Sequence, residues 1–183
     1  MTTPQILLTG DRVALALPDR DHLPDYHRWE NDPGTILGFG TQVPQSWEVR
    51  SGGWDRQRAN REYPQFEVVT ADDHTPVGLT TLQIDAAVRT AEFVILVAPE
   101  ARGRGLATEA TALTLRWAFA YAALRMVWLK VLEPNAAGVA AYQKAGFQPA
   151  GRLRQSGYWR GRPCDELLMD AIADDYPMDA GSG

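Results

Sequence analysis

Gly103 and Gly105 stand one residue apart between an apolar run, Thr90 to Val97, and the strongest helical pattern in the chain. Apolar residues then recur at Leu106, Ala110, Leu113, Trp117, Ala120 and Leu124. Those steps of four and three trace one face of an α-helix over Gly103 to Ala123. A strand that runs through two glycines into a long helix presents uncapped backbone N–H groups and the positive end of a helix dipole. Glycines let phosphate oxygens approach that backbone, and Arg102 and Arg104 add positive charge. The segment Arg102 to Thr108 therefore reads as a diphosphate-binding loop. It lacks the Gly-Lys-Ser/Thr of a P-loop, and Thr108 stands where a dinucleotide fingerprint needs a third glycine. The alternative is that the glycines only permit a tight strand-to-helix turn.

The flanking pattern predicts a single α/β (α+β) domain, with a mixed central sheet of six or seven strands and helices on both faces. Arg12 to Leu17 reads as the first strand, and Asp19 to Asn31 as a short helix with Pro24 in its first turn. Asp32 to Asn60 is rich in glycine and proline and reads as a loop, then a broken helix from Ser46 to Asn60. Gln65–Thr70, Val77–Ile84 and Thr90–Val97 form an antiparallel meander. Met126–Leu132 reads as a central strand buried on both faces. Ala136–Ala145 follows as a helix closed by Gly146, and Phe147 opens a further strand. Arg152–Trp159 and Cys164–Ile172 form a terminal hairpin. The ordered core is expected over residues 10–176, with 177–183 as a flexible tail.

The 183 residues suit one domain. A net charge of −5 argues against a broad nucleic-acid surface, and no apolar run is long enough to span a bilayer. Met1 to Ile6 has no basic region followed by an apolar stretch, and Cys164 is the single cysteine, so the reading is cytoplasmic, without a disulfide. The three histidines lack metal-ligand spacing, so no metal is expected. Cys164 has no histidine near it in sequence, and a small hairpin residue is its plainer reading than a nucleophile.

Glu100-Ala101-Arg102-Gly103-Arg104-Gly105 resembles the acetyl-CoA motif of the GNAT N-acetyltransferase superfamily, with Glu in place of its usual first residue. Asn135 followed by Tyr142-Gln143-Lys144-Ala145-Gly146-Phe147 resembles that family's second signature. Asp21-His22-Leu23, Trp29-x-Asn31-Asp32-Pro33, Thr90-Ala91-Glu92-Phe93 and Gly151-Arg152-Leu153 are similar to the branch of ribosomal-protein alanine N-acetyltransferases and spermidine acetyltransferases. The resemblance implies an acetyl-CoA-dependent enzyme. The acceptor would be a primary amine on a protein N-terminus, a polyamine or another small molecule, and a homodimer would be possible. It implies that the backbone of Ile95, Leu96 and Val97 holds the pantetheine arm. Amides of Arg102, Gly103, Arg104, Gly105, Leu106, Ala107 and Thr108 would hold the diphosphate. Asn135 and Lys144 would also touch the cofactor.

The resemblance places Tyr142 at the family's acid position. A phenol, with an ordinary pKa near ~10, stays protonated at neutral pH and can donate to a departing thiolate; packing the helix onto the sheet is the alternative. Glu92 is the only charge in an apolar strand, which suggests a base or water-holder at the acceptor, unless it faces solvent or an arginine. The resemblance also implies that Trp29, with Trp47 and Trp54, falls in the region that shapes the acceptor pocket. Two other readings remain open: a non-catalytic acyl-CoA sensor, and a transferase of a larger acyl group such as succinyl.

Overall fold

A computed structural model describes residues 3–40 and 43–176. The expected tail, 177–183, lies outside the described residues. Eight strands form one sheet: β1 (Ile6–Thr9), β2 (Val13–Ala16), β3 (Gln65–Thr70), β4 (Pro76–Asp85), β5 (Thr90–Val97), β6 (Met126–Leu132), β7 (Gln148–Trp159) and β8 (Arg162–Ile172). Their spatial order is β1-β2-β3-β4-β5-β6-β8-β7. The pairing is antiparallel throughout except between β5 and β6. The mixed sheet is as expected, with one strand more than the upper estimate: β1 pairs with β2 ahead of the expected start of the core. Four residues with a half-exposed pattern give too weak an alternation to be read from sequence. Gln148 through Trp159 is one continuous strand, so the run after Phe147 and the first hairpin strand merge.

Helices cover both faces. On one lie α1 (Leu23–Glu30), α2 (Pro33–Gly38), α3 (Trp47–Gly52) and α4 (Trp54–Ala59). On the other lie α5 (Leu106–Ala120) and α6 (Ala136–Ala145). α2 replaces part of the expected loop: Asp32 caps it by accepting from the Thr35 amide, and Pro33 occupies its first turn. The broken helix is α3 and α4, interrupted at Gly53. Side-chain contacts fix which strand residues face which layer. The Thr114 hydroxyl of α5 lies 2.9 Å from that of Thr80, and Trp117 packs edge-on to Phe66 at 4.8 Å. The alternate residues Glu67, Leu79 and Thr81 face α1–α4. α5 is buried more widely than a single stripe: Thr111 and Thr114 are fully enclosed, donating to carbonyls one turn back, whereas Ala120 is exposed.

β6 departs from the expectation of burial on both faces. Val127, Leu129 and Val131 are buried, but Met126 and Trp128 are half-buried and Lys130 is exposed. That side of the strand is open around Lys130 and closes again at Leu132.

Glu67 is fully buried under α1. Its Oε1 accepts from the Tyr26 hydroxyl at 2.5 Å and lies 2.7 Å from His22 Nδ1, while Oε2 has no partner. Burial pushes its carboxyl above the usual range, against the pull of Tyr26 and His22. Burial likewise raises Glu30, against Arg50. Glu100 goes the other way, held at about 2 by hydrogen bonds from Arg28. A raised acid binds more protons folded than unfolded, so its contribution falls as pH climbs from the ordinary carboxylate range through the raised value. A lowered acid contributes stability above the ordinary range and loses it as pH drops toward the lowered value. The Glu100 contribution is small because its side chain is half exposed. Thermal midpoints taken from about pH 3 to 8 should peak in mild acid and decline toward neutrality, and Glu67→Gln should flatten the decline. A parallel decline in the variant would assign the slope to other groups.

Candidate active site

The parallel ladder between β5 and β6 covers only Thr90–Met126, Ala91–Val127 and Glu92–Trp128. Both strands continue beyond it, to Val97 and Leu132, without pairing to each other. β5 keeps its bonds to β4 over that stretch, with Ile95 opposite Thr80, Leu96 opposite Leu79 and Val97 opposite Gly78. A fork therefore opens after Glu92, and the backbone edges of Ile95, Leu96 and Val97 that face β6 are left without sheet partners. Unpaired backbone at the centre of a sheet is costly unless something extended takes the ladder's place.

At the wide end of the fork, β5 passes through a single 3-10 turn, Pro99–Ala101, into the glycine loop. Gly103 and Gly105 adopt φ of 73° and 74°, the left-handed region that side chains disfavour. Gly105 is the N-cap of α5 and offers no capping side chain, so the first-turn amides of Leu106, Ala107 and Thr108 have no capping partner. A Cβ at Gly103 would meet nothing within 4 Å. The loop is thus open toward an anion. Arg104 is exposed beside it.

Arg102 sits differently from its expected role. Its guanidinium pairs with Asp32 at 2.8 Å and donates to Thr35 Oγ1 at 2.6 Å, which ties the loop to the start of α2. Burial pushes the Asp32 carboxyl up, but the bonds from Arg102 and the Thr35 amide outweigh that and hold it below the usual range. The Arg102 guanidinium is thus committed to protein, and its backbone N–H donates to the Pro99 carbonyl at 3.5 Å. Arg12 does work that the sequence did not reveal. Held by Glu109 at 3.3 Å, it donates to the carbonyls of Arg104 and Gly105 at 3.0 and 3.1 Å and fixes the loop from beneath. It lies about ninety residues earlier in the chain, and nothing in its local pattern marks it.

Tyr142 on α6 stands at the crotch of the fork. Its ring meets Phe93, the first residue past the ladder, edge-on at 6.3 Å, and Phe147 at 6.1 Å. Its hydroxyl has no protein partner among the described residues. Burial pushes the phenol up to about 12, so it remains a donor at neutral pH. Asn135 caps α6, accepting from the Gly138 amide at 3.1 Å, which leaves its amide NH₂ uncommitted. Gly146 closes the helix at φ 113°. Lys144 is exposed in the last turn.

Glu92 and Tyr142 lie on opposite faces of the sheet, and the fork joins the two. Glu92 is 23% exposed, with Lys130 of the neighbouring strand 4.0 Å away. It is therefore not the isolated carboxylate its strand suggested. Trp29 does not reach the acceptor side at all: it is 1% exposed and donates from its indole to Glu100 at 3.3 Å. Trp54 is also buried, stacked on Tyr26, whereas Trp47 remains 43% exposed. On the α1–α4 face a cleft of about 520 Å³ opens over β4 and β5. Leu79, Thr81, Val94 and Leu96 form its floor, while Arg50, Gln57 and Tyr63 stand on its walls. Its wall residues come from the stretch least regular in sequence, which is why they were not singled out. No helix among the described residues is long and apolar enough to cross a membrane.

Known proteins share this fold and family. The acetyltransferase (GNAT) domain family matches residues 12–148. The chain is 32% identical to a spermidine N(1)-acetyltransferase of Vibrio cholerae, over 91% of this chain and 96% of that protein. It is 26% identical to the Escherichia coli K12 spermidine N(1)-acetyltransferase, over 90% of this chain and 88% of the other. A crystal structure of the Vibrio cholerae spermidine N-acetyltransferase in complex with CoA and spermine superposes with a TM-score of 0.84 at 25% identity, covering 90% of this chain and 97% of that one. The chain belongs to the GNAT acetyltransferase family and is an acetyl-CoA-dependent N-acetyltransferase.

Proposed function

We propose that the thioester of acetyl-CoA lies in the β5–β6 fork and that a small primary amine attacks it from the cleft under α1–α4. The fork carries this reading. It is the place where unpaired backbone, the Tyr142 ring packed on Phe93 and the cleft floor at Val94 and Leu96 come together. The edges of Ile95, Leu96 and Val97 hold the pantetheine arm in place of the missing ladder and polarise the thioester carbonyl. The uncapped amides from Gly103 to Thr108 take the diphosphate. The amine nitrogen forms its bond to the carbonyl carbon as the carbon–sulfur bond breaks. Tyr142 donates to the departing sulfur, and the proton lost by the amine leaves through Glu92 or the water it holds. Alignment of the two reactants supplies several kcal/mol of the barrier reduction, roughly 7 at the least in well-oriented cases. Kinship puts spermidine and spermine first among the amines to test. Release of CoA thiol should be seen with acetyl-CoA and a primary amine. Binding of acetyl-CoA without thiol release for any amine would return the chain to a binding module.

A further inference from the structure

A second cleft, of about 360 Å³, lies across the fork from the first. Leu96 of β5 belongs to the first cleft and Leu132 of β6 to the second, so each arm of the fork floors one of them. Phe39, at the end of α2, is the one residue that lines both. The clefts differ in charge. Glu30, Arg50 and Arg56 line the first, with Arg50 paired to Glu30 at 2.7 Å. Glu166 is the only charged residue lining the second. It is half-buried and has no side-chain hydrogen bond or ion pair among the described residues. Lys130, on the same face of β6, lies 4.0 Å from Glu92 at the crotch of the fork and does not pair with Glu166. Arg154, Arg160 and Arg162 of the β7–β8 hairpin are exposed outside the lining. Gly157 leaves the stem of Glu166 uncovered, since a Cβ there would lie 3.2 Å from its Cγ. Tyr158, 44% exposed, adds an aromatic wall. β7 loses register between Leu153 and Gly157, with Gln155 at φ 53°, and this bulge brings Gln155 and Ser156 to the cleft. Bulges and left-handed side chains gather at functional sites.

From this we infer that the second cleft holds the far end of the acceptor and that Glu166 anchors a cation there. The reacting amine stands at the fork beside Val94 and Leu96, and the rest of the acceptor passes Phe39 instead of continuing along the first cleft. The inference rests on the fork as the place of acyl transfer and gives the acceptor a direction. A free, half-buried carboxylate beside an aromatic ring favours a second ammonium. The first cleft, with two guanidiniums against one carboxylate, disfavours it. The sheet sets the spacing. Glu166 pairs with Leu132, and Leu132 lies four residues beyond Trp128, where the ladder to Glu92 ends. That is a rise of roughly 13 Å, so an amine poised partway along the fork is on the order of 10 Å from Glu166. A short diamine does not span that distance.

The test compares pairs of acceptors that differ only in the far group. With acetyl-CoA saturating, kcat/KM is measured for 1,6-diaminohexane against 6-amino-1-hexanol, and for 1,3-diaminopropane against 3-amino-1-propanol. A charge-assisted bond predicts about a tenfold advantage for the long diamine over its alcohol, and none within the short pair. The advantage should lie in KM, because the far ammonium is held equally before and during attack. Glu166→Gln keeps the shape and breaks no side-chain bond to protein, and it should bring the long diamine down to its alcohol. Glu166→Asp keeps the charge and should retain part of the advantage. A long diamine no better than its alcohol, or an advantage that survives Glu166→Gln, overturns the inference and leaves the acetyltransferase reading standing. Thiol release with none of the four amines overturns it together with the placement of the reaction in the fork.

Discussion

Replacing Tyr142 by phenylalanine is expected to lower kcat by roughly two to three orders of magnitude, the scale of a lost general acid. The KM for acetyl-CoA should change little. The phenol makes no hydrogen bond to protein among the described residues, so the substitution leaves no protein group unpaired. Its ring contacts with Phe93 and Phe147 are those of a phenyl ring and survive. Stability should therefore stay within about 0.5 kcal/mol, as for changes that break no packing or hydrogen bond. Tyr142→Ala offers the contrast: it removes the ring as well and should cost about 3 kcal/mol in stability, within the range for aromatic truncation. The pH dependence carries a second signature. With the phenol pushed up to about 12, Tyr142 stays protonated across the neutral range, so its ionisation cannot produce an alkaline limb below that value. Any limb near neutrality belongs to the incoming amine, which must lose its proton to attack, and it should persist in Tyr142→Phe. Unchanged single-turnover rates in the variant would make Tyr142 a packing residue only.

The sequence was most legible where chemistry and periodicity are local. The strand–glycine–helix junction, the meander and the Asn135-to-Phe147 unit each lie within a short stretch, and each stands where expected. Tyr142 was placed by resemblance, and the structure sets its ring against Phe93 at the crotch of the fork. What stayed hidden depends on partners distant in sequence. Arg102 sits in the loop yet turns to Asp32 and Thr35, because α2 brings a capped helix start against it. Arg12 stands in the bend before β2 and reaches the loop only after the sheet assembles. Glu92 reads as a lone charge along its own strand, but β6 sets Lys130 beside it. Trp29 was read as a pocket residue because it falls in the region that shapes the acceptor pocket in the resembled branch, but it is buried. Periodicity at Leu23, Tyr26 and Trp29 in fact marks the buried side of α1. The cleft itself was least legible, since its lining is gathered from helices and strands that meet only in the fold.

Gly103→Asp is expected to weaken acetyl-CoA binding by about two orders of magnitude while the fold survives. Two effects separate cleanly at this position. The first is conformational. With φ at 73°, any side chain here sits in the left-handed region, at about 1–2 kcal/mol, with Asp and Asn among the residues that tolerate it best. No neighbour lies within 4 Å of a Cβ, so no packing clash adds to that strain. The second is electrostatic. The open space above Gly103 is where a diphosphate would approach the uncapped amides, and a carboxylate placed there repels it. At roughly 4–6 Å and an effective dielectric of about 20, that repulsion is on the order of 3 kcal/mol. Gly103→Asn carries nearly the same volume and the same φ demand without the charge, and its loss should be nearer tenfold. The difference between the two variants should shrink as salt is raised, since exposed charges are screened over about 10 Å at 0.1 M. Calorimetric titration with CoA measures all three affinities. Equal losses for Asp and Asn, insensitive to salt, would mean that the glycines serve the turn alone and that the phosphates lie elsewhere.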